Sequence, residues 1–289
     1  MNENKTVNAS NKKTNPEKTD PVIGIAFGGG GIRGFAHLAI LEKFKEYNIK
    51  PDMVSGTSIG SGIAVLCAAG CYGEDYTEKI FQTDFKSLFS IGSKGGFISG
   101  KKYAKAFVEM AGAKTFEELP IPVKIVATDL VHWDRVVFDK GPLMVAIQAS
   151  SAVPGAFTPV KYGDKLLVDG CVVDNCPADI LKQMGADIVI AIDLDYRVYD
   201  RPKNVKEVVQ RSMDIMASNG RRAENADYII KPFDSHVPSL ALNKADFCYD
   251  CGKEVIEAKM PEILALLRAW YEERDLPCPL EYQESYLRY

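Results

Sequence analysis

Ser58 stands in Gly56-Thr57-Ser58-Ile59-Gly60, directly after the apolar stretch Met53–Ser55 and ahead of a helical pattern that runs to about Gly70. G-x-S-x-G at a strand-to-helix junction holds a serine on a sharp turn, its hydroxyl exposed above a helix N-terminus, as a nucleophile. One strand and one helix earlier, Val22 to Phe27 (VIGIAF) runs into Gly28-Gly29-Gly30-Gly31-Ile32-Arg33-Gly34. Glycines let a backbone come close to a ligand, and N–H groups between a strand and a helix can gather around an anion. G-x-G-x-x-G also marks dinucleotide sites, but here the second strand leads into the serine motif and not into an acid that would hold a ribose. A phosphate loop would end in Lys-Ser/Thr, which this one lacks. An oxyanion hole remains, with donors for the charge that develops on a carbonyl oxygen, and so does a purely structural turn. Both junctions lie at carboxyl ends of strands, where α/β sheets place their sites.

A nucleophilic serine needs a base, and the chain has three histidines. His37 lies on the helix after the glycine loop, on a face shared with Ile40 and Phe44, and reads as packing. His132 falls in a hairpin turn beside Trp133 and reads as surface. His236, followed by Val237-Pro238, would complete the order Ser, Asp, His of an α/β-hydrolase. The other candidate is Asp169, where the apolar strand Lys165–Val168 ends in Asp169-Gly170. Asp-Gly is also a common turn.

The residues resemble the patatin-like phospholipases, and within them the bacterial patatin-like proteins. The resemblance rests on Gly29 to Gly34, Gly56-Thr57-Ser58-Ile59-Gly60, Asp169-Gly170, Ala149-Ser150-Ser151-Ala152-Val153-Pro154-Gly155 and Asn175-Cys176-Pro177, in that family's order over residues 22 to 195. It implies a three-layer α/β/α sandwich with a mostly parallel central sheet, and a Ser-Asp dyad without histidine. Ser58 would be the nucleophile and Asp169 the base. The amides of Gly29, Gly30 and Gly31 would form the oxyanion hole, with Arg33 shaping that loop, and Gly34, Gly56, Gly60 and Gly170 would be supporting residues of the motifs. The implied activity is hydrolysis of carboxylic esters of phospholipids, lysophospholipids or neutral lipids through an acyl-enzyme, with no metal and no cofactor. Where the family has Gly or Ala after Asp-Gly, this chain has Cys171, which narrows the site. A carboxylate of ordinary pKa, about 3.9, is a poor base for a hydroxyl, so partial desolvation would have to raise its proton affinity.

The elements that must position these groups alternate as a parallel α/β sheet does. Further strands are expected at 123–129, 135–139, 165–169, 187–193 and 228–231, the first two antiparallel to each other across the turn-like 130–134. Helices are expected at about 100–112, 142–151, 177–184, 203–223 and 253–273. The stretch 84–100 breaks the rhythm, with Phe85, Leu88, Phe89, Ile91, Phe97 and Ile98 among glycines and serines. It would line an acyl pocket, touch a bilayer as a mobile cap, or pack as an irregular insertion.

With 289 residues, 46% hydrophobic and 26% charged, the chain has ample material for one domain from 21 to 289. Residues 1 to 20 are rich in Asn, Lys and Thr and read as a disordered polar tail. A net charge of −4 gives no field for nucleic acid. Seven cysteines and no export signal fit reduced thiols and a cytoplasmic location. Cys248-x-x-Cys251 lacks a second pair at zinc spacing. No apolar run approaches the roughly 18 residues of a membrane span. With no lipid anchor and no basic amphipathic helix visible, contact with a membrane would be peripheral and transient.

Overall fold

The computed structural model describes residues 19–84, 98–196, 201–235, 237–239, 241–279 and 282. The polar tail, apart from its last two residues, lies outside the described residues. So do the body of the 84–100 stretch and His236. In chain order, β1 (Ile23–Phe27) leads to α1 (Phe35–Glu46), β2 (Met53–Thr57), α2 (Ile59–Ala68), α3 (Glu74–Phe81) and α4 (Lys101–Ala111). Next come β3 (Val123–Asp129), β4 (Asp134–Phe138), α5 (Leu143–Ser150), β5 (Val160–Tyr162), β6 (Lys165–Asp169) and β7 (Asp174–Cys176). The chain then forms α6 (Ala178–Gln183), β8 (Ile188–Ile192), α7 (Val205–Asn219), β9 (Arg221–Arg222), β10 (Tyr228–Ile230) and α8 (Ala245–Glu272).

The main sheet has the order β10-β8-β1-β2-β3-β6-β5, with β4 also paired to β3. From β10 to β3 all neighbours are parallel, while β4, β5 and β6 pair antiparallel. Strand residues alternate between faces, and the two faces are covered unequally. Ile23, Ile25 and Phe27 join the large core under α1, α2, α4, α5 and α8. Ala26, Val189 and Ala191 face a thinner layer made by α6 and Cys176. These are the three layers of an α/β/α sandwich.

Two helix boundaries differ from expectation for identifiable reasons. α8 starts at Ala245, eight residues early, and carries Pro261 in its interior. Gly252, a poor helix former, sits where a Cβ would stand 2.5 Å from the Ala36 carbonyl oxygen, so it marks close approach to α1 rather than a helix end. α7 stops at Asn219, and the following pair of residues leaves it to bridge β7. β6 runs antiparallel to β3, with Asp169 opposite Ala127, so Asp169 reaches the carboxyl edge of the sheet from the opposite direction.

Residues 174–177 run as a strap under that edge. Thr57 Oγ1 donates to the Asp174 carbonyl (2.9 Å) and Ser55 Oγ to the Pro177 carbonyl (2.8 Å). Arg135 clamps the strap: Nη1 donates to Asp174 Oδ2 (2.6 Å), and Nη1 and Nη2 engage both oxygens of Asp179 (2.9 and 3.0 Å). Both carboxylates are buried. Removing one member of a buried ion cluster leaves uncompensated charge, at a cost of about 3–5 kcal/mol. Arg135→Ala is therefore expected to lower unfolding free energy by about that amount, measured by urea titration. A loss near zero would show that the clamp is dispensable.

Candidate active site

Ser58 ends the turn between β2 and α2 with φ 55° and ψ −126°. A serine in the left-handed region is strained, and such strain persists only where the surroundings enforce it. Gly60 lets the first turn of α2 press against the end of β1, since a Cβ there would meet the Phe27 carbonyl oxygen at 2.2 Å. The Ser58 carbonyl accepts from the Ser61 amide (2.9 Å) and from Ser61 Oγ (2.6 Å). The Ser58 amide donates to Ser150 Oγ at the end of α5 (2.9 Å). The serine is thus held on both sides by buried hydroxyls.

Its own hydroxyl donates to Asp169 Oδ2 at 2.6 Å. Asp169 Oδ1 accepts the Cys171 amide (2.9 Å), while its backbone is tied to Ala152 and Thr128. Gly170 permits the turn directly after it, for a Cβ would stand 2.5 Å from the Val126 carbonyl oxygen. Asp169 is fully buried, and that loss of water pushes its carboxyl up to about 6 against the pull of Ser58 and Cys171. The Cys171 thiol, raised well above its ordinary value by burial and by the same carboxylate, stays protonated beside it.

The glycine loop folds over Ser58. The Gly28 amide donates to Ile192 O (2.9 Å) and the Gly29 amide to Asn175 O (3.0 Å). Gly29 was expected to lend its N–H to an anion, but the strap already takes it. The amides of Gly30 and Gly31 make no hydrogen bond among the described residues. Arg33, buried, donates from Nε to the Gly30 carbonyl (3.1 Å) and from Nη1 to Leu194 O (3.2 Å). It also stacks on Tyr196, 4.5 Å from the ring centre, and lies 3.8 Å from Asp214 of α7. A planar peptide that points its carbonyl at Arg33 points the Gly31 N–H the other way. Gly31, with φ 58°, then lines the same cleft as Ser58.

That cleft holds about 540 Å³, counting the solvent at its mouth, and its walls are apolar: Ile32, Phe35, Ile59, Tyr103, Val153 and Phe157. Ile98, the last apolar residue of the 84–100 stretch, is bridged to Phe157.

The two described histidines are elsewhere. His37 is buried with its Nε2 on Gly28 O (2.9 Å), and burial lowers it to about 4. It braces the glycine loop. His132 pairs through Nδ1 with Asp129 (2.6 Å), the last residue of β3. The sequence shows no role for Ser150 or Asn175 and only packing for His37, because what each does depends on a partner remote in the chain or on backbone geometry. Cys248 and Cys251 lie one turn apart on α8, and burial pushes the Cys248 thiol up to about 12. Among the described residues no group of three or more His, Cys, Asp or Glu is placed to hold a metal ion.

The profile of the patatin-like phospholipases matches residues 25–182, more than half of the chain. An uncharacterised NTE family protein of Mycobacterium tuberculosis is 32% identical over 180 residues, covering 61% of this chain and 50% of the relative. The neuropathy target esterase of Drosophila melanogaster is 31% identical over 185 residues, covering 60% of this chain and 13% of the relative. The chain thus spans half the length of the mycobacterial relative and far less of the fly esterase. Among solved structures, VipD from Legionella pneumophila aligns over 83% of this chain and 67% of its own, with TM-score 0.56 and 14% identity, a likeness of fold.

The raised Asp169 carboxyl has a cost that can be measured. The folded chain holds this proton more tightly than the unfolded one, whose carboxyl titrates near 3.8. The stability it contributes is complete below about pH 3.8 and is lost as pH rises through about 6. A displacement of that size is worth about 3 kcal/mol. Asp169→Asn, which keeps an acceptor for Ser58, should therefore gain up to about 3 kcal/mol over the wild type at pH 8 and little at pH 4. Urea unfolding at the two pH values checks this. A variant weaker than wild type at pH 8 would count against a desolvated carboxylate.

Proposed function

The chain belongs to the patatin-like phospholipase family, and on that premise we propose that it is a serine acyl hydrolase that cleaves carboxylic esters of lipids with a Ser58–Asp169 dyad. The observation that carries this is the 2.6 Å hydrogen bond from Ser58 Oγ to a fully buried carboxylate raised to about 6. Burial answers the objection that an ordinary carboxylate is too weak a base, since catalytic pKa values work best near the operating pH.

In this mechanism the ester's acyl group enters the apolar cleft. Ser58 Oγ attacks the carbonyl carbon as its proton passes to Asp169 Oδ2. The oxyanion is met by the Gly31 amide, aimed by Arg33 on the Gly30 carbonyl, by the Gly30 amide, whose peptide carbonyl accepts from Asn175 Nδ2, and by the positive end of α2. Asp169 returns the proton to the departing alkoxide, which leaves as an alcohol and an acyl-Ser58. Water then attacks with Asp169 again as base. A free carboxylic acid leaves and Ser58 is restored. Gly28 and Gly29 act one step removed, since their amides fix the loop. The apolar walls favour an acyl chain over a charged group.

A fluorophosphonate should form a single adduct on Ser58, mapped by peptide mass. Ser58→Ala should take none. On a short p-nitrophenyl ester, Asp169→Asn should lose about 10³-fold or more in kcat/KM, while His236→Ala stays close to wild type. The reverse pattern would favour the triad with His236. No adduct on folded wild-type protein would favour a binding role for the scaffold. Because Asp169 must be deprotonated, kcat/KM should rise with pH to a plateau, with a single limb centred near pH 6. Full activity at pH 4.5 would remove Asp169 as the base.

A further inference from the structure

Helix α7 is amphipathic twice over. Its inner face buries Met213 and Ala217. A second apolar stripe faces water: Val205 is 79% exposed, Ile215 51%, Val208 and Val209 48% and Met216 38%. At 100° per residue these five positions fall within one third of the helix circumference, together with Ser212. Contiguous exposed apolar surface of this kind marks an interaction site. The helix is also built rather than frayed, since Asn204 Oδ1 caps it by accepting the Glu207 amide (3.0 Å).

Charge tells what would cover the stripe. The chain as a whole carries −4, yet residues 201–222 hold six Lys or Arg against two acids. Arg201 and Lys203, just ahead of the helix, are exposed. An apolar stripe on a basic segment suits an anionic lipid surface, into which the stripe inserts while the cations meet headgroups. A second copy paired stripe to stripe would set the same basic segment against itself, like charge facing like charge.

Position ties the stripe to the cleft. α7 packs on the turn 170–172 that follows Asp169. Val209 Cγ1 is 3.9 Å from the Cβ position of Gly155, between the cleft residues Val153 and Phe157. Asp214 lies 3.8 Å from Arg33. The turn after β3, with Trp133 89% exposed and Leu130 and Val131 beside it, leaves the same carboxyl edge of the sheet. A bilayer seated on α7 would therefore adjoin the 153–157 wall of the Ser58 cleft.

We propose that the outer face of α7 is the surface by which this protein docks on an anionic bilayer and takes lipid directly into the cleft. This rests on the lipid hydrolase reading above. It also revises the expectation that the chain has no basic amphipathic helix.

The test is sedimentation of the full chain with phosphatidylcholine vesicles and with vesicles that also contain phosphatidylglycerol, at low and high salt. Wild type and Ser58→Ala should bind the anionic vesicles, and lose them at high salt. The double variant Val208→Asp/Ile215→Asp should bind at least roughly tenfold more weakly. It should keep wild-type thermal stability and wild-type hydrolysis of a short soluble ester. Arg201→Glu/Lys203→Glu should weaken binding and flatten its salt dependence. Equal vesicle binding by wild type and the stripe variant, or no preference for anionic vesicles, overturns the proposal. A wild-type dimer in light scattering that the stripe variant converts to monomer overturns it too, in favour of a second copy. If Ser58→Ala docks and no protein hydrolyses any ester, the docking surface stands and the hydrolase reading falls. If the ester is hydrolysed and nothing docks, the reverse holds.

Discussion

One hydrogen bond organises this molecule: a hydroxyl donated by Ser58 to a carboxylate that has no contact with water. The two residues are 111 positions apart in the chain. Bringing them to 2.6 Å requires a serine in a strained conformation and an aspartate carried in by a strand that runs against its neighbour. Neither condition holds locally. The strain at Ser58 is enforced by Ser61 and Ser150, and by two glycines that let β2, α2 and the glycine loop come within backbone contact. The burial of Asp169 is enforced by Gly170, which has no side chain to hold the turn away from β3.

The same economy shapes the glycine loop. It has four glycine amides in a row, Gly28 to Gly31. Two amides are consumed by structure, one on β8 and one on the strap. That expenditure is what fixes the other two. His37 and Arg33 complete the frame by binding the carbonyls of Gly28 and Gly30, so each peptide plane has a set direction. A buried histidine held below its ordinary range is suited to that task, because it stays neutral and can donate from Nε2. The strap depends in turn on Arg135, whose fork matches two buried carboxylates. A chain of polar contacts thus runs from the outer antiparallel strand β4 to the loop above Ser58.

Much of this was legible in the sequence, and the exceptions share a cause. Strand, glycine loop, helix, strand and G-x-S-x-G are local patterns, so β1, α1, β2 and α2 could be read from periodicity and turn chemistry. The pairing of β3 with β4 followed from a short turn. β5, β7 and β9 are two or three residues long and carry no period to detect. Ser150 and Asn175 lay within stretches that resembled the family, but their parts depend on contacts across 92 and 146 residues. Gly252 resembled a helix break because propensity cannot see α1 pressed against it. α7 escaped notice as an amphipathic helix because apolar residues on two faces, one buried and one exposed, blur the single stripe that periodicity seeks.

The parallel order of the central strands explains why so much converges on one edge. Parallel strands send all their carboxyl ends, and the loops that follow them, to the same side. The glycine loop leaves β1 there, Ser58 leaves β2 there, and the Trp133 turn leaves β3 there. Asp169 could not arrive by that route without a further crossover helix, and the antiparallel β6 delivers it with a hairpin instead. The remaining faces of the sheet are sealed by helices, so this edge is where a desolvated carboxylate can stand next to an entrance. A buried carboxylate and an open cleft make opposite demands on water. They are met together because the cleft walls are apolar and hold little water against Asp169.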